Sequence, residues 1–360
     1  MEDTKLSPAK RKVAKRGGAS KYYESFRENT TCKEIMDILV LYGECSQDQL
    51  NRFIKKAEDT IRKSISRLES DGYVLTKKAY GKKIVRLSKS SKDHYGIKDV
   101  QTNVTSEQRL TRNARATEVK MAFKLSEPSN RPSYKDAFED IKMIKGEHPD
   151  LSLKLSRIYG VYTHGNKHYA VFNIGSGITW RTSNEQNART WLRDRYLHES
   201  LSAAMLLVND MDSVSRMFLL NNDKQKLSPA NTIYNEMIVY PLTPEGHEEL
   251  KLYRSLESPH EQFVRAVFND DEINKYSNEL YDGTWKASNP KNAPTVVLFD
   301  CDIMRVYSIM ELARLNTVSA IYIACYDTQE EFFKEIFEDY PQVEIVAFSF
   351  RDAVQRLLKP

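Results

Sequence analysis

Three helical periodicities in close succession, followed by a lysine-rich pair of strands, restrict residues Thr31–Leu87 to few folds. Thr31 and Glu34 have the spacing of a capping box, which predicts a helix starting there. Ile35, Ile38, Leu39 and Tyr42 give that helix one apolar face. Ser46 and Gln49 repeat the capping spacing, and Leu50, Phe53 and Ile54 supply the next apolar face. A third helix is expected from about Glu58-Asp59, with Ile61, Ile65 and Leu68 pointing one way. Lys63, Ser66, Arg67 and Ser70 point nearly opposite, with Arg62 on one flank. Gly72 is expected to end this helix, because the residue after a helix commonly takes a positive φ. Tyr73-Val74-Leu75 and Ile84-Val85-Arg86-Leu87 read as two short strands around a lysine-rich turn. Gly81 supplies that turn, and Lys77, Lys78, Lys82 and Lys83 are expected on its tip.

Helix, helix, helix, basic hairpin is the order of a winged helix-turn-helix, whose third helix can enter a major groove while the wing touches the backbone. A small helical domain with a solvated basic hairpin has the same order, and so does a protein-binding winged helix; lysines on a hairpin also discourage edge pairing. Charge weighs toward nucleic acid. Residues 1–112 hold about 25 Lys and Arg against about 15 Asp and Glu. The net +4 of the chain therefore combines a basic front of roughly +10 with a back of roughly −6. Such a front attracts phosphate, but the attraction carries no sequence information.

The 360 residues suffice for two or three domains, and 40% hydrophobic with 29% charged residues suits a globular protein with a core. Cys32, Cys45, Cys301 and Cys325 form no C-x-x-C pair, which points to reduced structural thiols in a cytoplasmic protein. No apolar run is long enough to span a bilayer, and the first residues lack the apolar stretch of a secretory signal, so no membrane partner is expected.

Residues 1–20 carry Lys5, Lys10, Arg11, Lys12, Lys15 and Arg16 and few large apolar residues, so a disordered basic arm is expected. Residues 88–105 read as a linker. A helix is expected from Ser106 to about Leu125, with Arg109, Arg112 and Arg115 on one flank; such a row could extend the basic footprint, but a solvated or salt-bridged face is the favoured account of it. Residues 155–162 and 168–174 read as a hairpin around Thr163–Lys167. A long amphipathic helix is expected over 184–207, and strands near 217–220 and 233–240. Thr243-Pro244 signals a helix running to about Leu256, and another is expected over 261–281. A boundary loop is expected over 283–294. Strands over 295–299, 320–324 and 343–348 then alternate with helices, implying a small parallel sheet.

Asp300-Cys301-Asp302 after a strand has the Asp-x-Asp form that can hold Mg²⁺, but an Asp between strand and helix is usually a cap. Gly175-Ser176-Gly177 lacks the Lys-Ser/Thr end of a P-loop and reads as a tight turn. Pro149-Asp150 resembles the first half of a PD-(D/E)xK nuclease motif, yet residues 168–174 contain no acid to complete it. His164 and His168 lie on a hairpin rather than at helical zinc spacing. Tyr22-Tyr23 lacks the His-x-His cluster that a relaxase needs. No cofactor, metal or catalytic residue is therefore expected.

The run from Glu28 through the third helix to the KKIVRLSK strand resembles the winged-helix start of plasmid replication-relaxation proteins from Gram-positive bacteria and their mobile elements. Residues 155–180 are similar to a β-hairpin in proteins of the same context. The resemblance spans about residues 30–220, does not cover 291–360, and implies a nuclease-like fold, here degenerate, for the domain after the winged helix. The residues themselves read as an α/β multidomain chain: an arm (1–20), a winged helix-turn-helix (21–100), a central α/β domain (105–240), a helical connector (241–290) and a parallel βα subdomain (291–360). The resemblance implies a DNA-binding protein tied to plasmid or integrative-element maintenance or transfer. Together with the third helix and basic hairpin read above, the expectation is a sequence-selective double-stranded DNA-binding protein acting in replication, transfer or transcriptional control, with Arg62, Lys63, Ser66, Arg67, Lys77, Lys78, Lys82 and Lys83 as its DNA contacts. A homodimer and replication or transfer proteins remain open as partners. A metal-dependent nuclease or relaxase-like enzyme, and a protein-assembly module, remain open as alternatives.

Overall fold

Asn29 sets the first helix, because its side-chain oxygen accepts the Cys32 N–H at 3.0 Å. In the computed structural model, which describes residues 29–97, 106–130, 132–147, 157–174, 182–198, 201–215, 234–268, 280–285, 293–315 and 319–358, α1 accordingly spans Thr30–Leu41. The Thr31–Glu34 box is not the cap: Asn29 stands two residues earlier, and its carboxamide already holds an N–H of the first turn. The chain divides into two compact units, Met1–Ala122 and Phe123–Pro360.

The first unit continues with β1 (Cys45–Ser46), α2 (Gln47–Phe53), α3 (Glu58–Ser70), β2 (Val74–Ala79), β3 (Lys82–Leu87), α4 (Lys89–His94) and α5 (Glu107–Leu125), whose last residues pass into the second unit. Ser46 and Gln49 form the expected capping box. The helix α3 ends as Gly72 requires: at φ +79 it donates to Glu69 O, and Tyr73 donates to Leu68 O, both carbonyls of the last turn. The strands pair antiparallel in the order β1-β3-β2. Ile35, Leu39, Leu50, Ile61, Ile65, Leu68, Val74 and Val85 share one core, and burial of each large aliphatic side chain there is worth about 1.5–3 kcal/mol.

Two expectations change here. The strands are longer than the apolar residues alone suggested: β2 and β3 run through the lysines, leaving only Tyr80-Gly81 as the turn. Residues 88–105 are not all linker either. Ser88 caps α4, and Ser91 Oγ donates to Tyr73 O at 2.7 Å. The helix α5 lies across the far face of the hairpin, where Leu110 and Ala114 pack with Ala79 and Ile84. Gln49 Nε2 donates to Ala114 O and Thr117 Oγ1 to Tyr42 O, while Arg52 pairs with the buried Glu118. These bonds join α5 to the first unit up to residue 122, beyond the 105 at which a central domain was expected to begin.

The second unit holds β4 (Asp136–Asp140), α6 (Ile141–Glu147), β5 (Ile158–His164), β6 (Lys167–Ile174), α7 (Thr182–Leu192), β7 (Ala203–Val208), α8 (Met211–Val214) and β8 (Glu236–Pro241). The strands stand in the order β4-β5-β6-β7-β8; the first three are antiparallel, and β7 and β8 run parallel to β6. The helix expected over 184–207 stops early. A π turn over Arg193–Leu197 follows α7, His198 takes φ +54, and Ala203–Val208 is a fully buried strand. A wholly buried parallel strand shows no alternation, so its apolar run imitates a helix face.

Then come α9 (Pro244–Ser255, capped by Thr243), α10 (Pro259–Val267), β9 (Gly283–Trp285), β10 (Ala293–Val297), α11 (Ile303–Arg314), β11 (Ile321–Tyr326), α12 (Glu330–Ile336), β12 (Val343–Phe348) and α13 (Phe350–Leu357). The second sheet has the order β12-β11-β10-β9, with β10, β11 and β12 parallel as expected. The loop expected over 283–294 instead begins and ends in strand: Gly283–Trp285 pairs antiparallel with Ala293–Thr295. Ile174, Leu206 and Val239 of the first sheet share one core with Val296, Ile323 and Phe333 around the second. The expected strand over 217–220 lies outside the described residues.

Candidate nucleic-acid interface

Strand register decides where the lysines stand. Lys78 lies directly opposite Lys83, Lys77 opposite Ile84, and Lys82 opposite Ala79. Cross-strand partners share a face and neighbours alternate. Lys78 and Lys83 therefore continue the face carrying Thr76 and Val85, while Lys77 and Lys82 flank Ala79 and Ile84 on the face covered by α5. The four lysines are not one cluster on a loop; they are two pairs on opposite faces of a rigid ladder. Like charges directly opposite one another destabilise a sheet, so the Lys78–Lys83 pair works against folding.

The turn is fixed equally tightly. Tyr80 has φ +46 and Gly81 φ +77, the positive pair of a type I′ turn. The Tyr80 N–H donates to Glu107 Oε2 at 3.1 Å, tying the tip to the start of α5. The Tyr80 side chain is 67% exposed. No role was expected of Tyr80, although an aromatic inside Lys-Lys-Ala-Tyr-Gly-Lys-Lys is a visible signal.

On α3, Lys63 and Ser66 are exposed. Arg62 is exposed and paired with Asp59 at 2.8 Å. Arg67 is half-buried, with its charge close to Asp71 and Cys32. Glu69 Oε1 accepts both the N–H and the hydroxyl of Thr76, joining α3 to β2. The structure thus places Lys63 and Ser66 on the solvent side and Arg67 at its margin.

The carboxylates after β10 have structural work. Asp302 Oδ1 accepts the Met304 N–H at 3.0 Å, capping α11, and the Met237 N–H at 2.9 Å, holding β8. Burial, with the Asp300 and Glu236 charges adding to it, pushes Asp302 up to about 7. Asp300 is buried and raised for the same leading reason, and its Oδ1 has no hydrogen-bond partner among the described residues. Asp282 sits below its ordinary value: burial opposes this, but the His260 hydrogen bond and the Arg305 charge prevail. Among the described residues no three His, Cys, Asp or Glu side chains gather as metal ligands would. His164 and His168 stand on opposite faces of the β5–β6 hairpin, bonded to Tyr162 and Thr163 respectively. All four cysteines are buried and free. Tyr22-Tyr23, Asp150 and the 175–177 turn lie outside the described residues.

An all-antiparallel sheet backed by helices and a separate pair of mixed sheets define an α/β chain of two units. Compared with protein-family models, curated proteins and solved structures, the chain matches none. Among the described residues no helix is long and apolar enough to cross a membrane.

Proposed function

We propose that the first unit is a winged helix-turn-helix that binds double-stranded DNA, without catalysis, in the replication, transfer or transcriptional control of a plasmid or integrative element. The observation that carries this reading is the in-register Lys78–Lys83 pair. Two facing lysines cost folding energy alone and gain it against phosphate. Support also comes from the order helix, strand, helix, helix, hairpin, in which α3 is the element that would lie in a major groove with Lys63 and Ser66 outward. Of the four lysines expected on the wing, Lys78 and Lys83 then hold the backbone, Lys77 and Lys82 standing on the face that α5 covers, and Arg62 must exchange Asp59 for phosphate.

The test is fluorescence-polarisation binding to a mixed-sequence duplex at several salt concentrations. The native chain should bind with a steep salt dependence. Lys78→Ala and Lys83→Ala should each weaken binding to all sequences and lower the salt slope by about 1. Lys63→Ala should act mainly on sequence preference. No binding at low salt sinks the reading and turns attention to a protein partner for the same surface.

For the second unit we propose a nuclease-like scaffold that has lost its metal site. Supporting this is the run of three antiparallel strands, a helix and a parallel strand in β4-β5-β6-α7-β7. Against catalysis stands β6, whose residues 168–174 include no Asp or Glu. Magnesium-dependent nicking that disappears in Asp300→Ala would reverse this judgement.

A further inference from the structure

The Tyr80 ring is unexplained by the fold. A bulky residue at φ +46 is strained, and Asn or Asp commonly fills the first place of such a turn. No side chain among the described residues stacks on the ring, which is 67% exposed at the end of the hairpin. Yet its backbone is held firmly. The Tyr80 N–H is bound by Glu107, and Ala79 immediately before it is buried against Leu110 and Ala114. Strain, exposure and a rigid mount together describe a side chain presented outward at a conformational cost.

We propose that Tyr80 is a wedge: its ring enters the minor groove of duplex DNA and partly unstacks one base-pair step. The inference rests on the DNA-binding reading of the first unit and adds to it the feature of DNA that the hairpin recognises. A six-residue strand such as β2 extends roughly 20 Å, enough to carry its tip from a helix in the major groove past the phosphate backbone. Lys78 and Lys83 then lie behind the ring against the flanking phosphates, and the narrow two-residue turn leads. Apolar wedges of this kind enter between base steps from the minor groove. Pyrimidine–purine steps unstack at least cost, so the preferred site carries a TpA or CpA step beneath the hairpin.

The experiment compares two duplexes of equal length, one built of TpA repeats and one a stiff A-tract, with the full chain and the variants Tyr80→Asn and Tyr80→Phe. Asn suits the positive φ, so Tyr80→Asn should melt no lower than the native chain, and lost binding cannot be laid to unfolding. The native chain should prefer the TpA duplex by roughly tenfold, in keeping with the loss of one aromatic–base contact. Tyr80→Phe should keep that preference. Tyr80→Asn should lose it while its salt dependence is unchanged, since no charge is altered. With 2-aminopurine at a central TpA step, fluorescence should rise on binding of the native chain and stay flat with Tyr80→Asn. An equal preference in Tyr80→Asn, or none in the native chain, overturns the wedge and leaves DNA binding standing. Failure of the native chain to bind either duplex at low salt overturns both.

Discussion

Asp302 holds two backbone N–H groups with one oxygen, yet its carboxyl titrates near 7. The sign follows from linkage. Its folded value lies above the ordinary 3.8, so the folded state takes up a proton first. The stability this contributes is fully present below the unfolded value and is lost as pH rises through about 7. Asp302→Asn keeps the accepting oxygen and removes the titration. Between pH 5 and 7 the native chain should therefore lose stability more steeply than the variant, by at most about 1.4 kcal/mol per pH unit. Melting curves at pH 5, 6, 7 and 8 decide it, and parallel pH profiles would refute the assignment. Arg254 is the opposite case, a charge that is fully answered. It takes both oxygens of Asp136, at 3.0 and 2.7 Å, and also donates to Phe123 O and Ser126 Oγ. Arg254→Met strands the buried Asp136 carboxylate and should cost about 3–5 kcal/mol in urea unfolding. Arg254→Met/Asp136→Asn should recover much of that loss.

At the scale of elements, the α3 terminus isolates a purely conformational effect. Among the described residues a Cβ on Gly72 would meet nothing within 4 Å, so Gly72→Ala adds no clash there and its cost is that of φ +79. It should destabilise by roughly 1 kcal/mol, with Gly72→Asn costing less, measured by urea midpoint at unchanged slope. An equal cost for both would show that backbone strain is not the cause. These ends were legible in the sequence because local chemistry dictates them: Gly72 after α3, Ser46 with Gln49, Thr243 before Pro244. The parallel strands β10, β11 and β12 were legible too, each a short apolar run set between helical periods. What stayed hidden was set by distance or by full burial. The run Ala203–Val208 continued a helical pattern and gave no sign of the strand that its neighbours make of it. Lysines, poor strand formers, concealed the length of β2 and β3. Which lysines share a face depends on register, and register depends on the Tyr80-Gly81 turn. Asp136 and Arg254, 118 positions apart, carry no local signal of their pairing.

Across the whole molecule, charge and core divide along the same line. The basic front falls largely within the first unit, whose core of Ile35, Leu50, Ile61, Ile65 and Val85 is distinct from the one shared by the two sheets of the second. Two separate cores should unfold as two calorimetric transitions rather than one. A ligand that binds one native unit stabilises that unit alone, by about 2.7 kcal/mol at a hundred times its Kd. For a unit of this size that corresponds to a rise of roughly 10 °C or more in its melting temperature. Adding duplex DNA at low salt should therefore move one transition and leave the other in place. Lys78→Glu/Lys83→Glu should abolish the shift, because it reverses the two charges that face each other across the hairpin. In the absence of DNA the same variant should melt no lower than the native chain, since it exchanges one like-charged pair for another. If instead DNA moved both transitions together, the units would be coupled and the second would contribute to binding. If DNA moved only the second, the basic front would not be where the duplex lies.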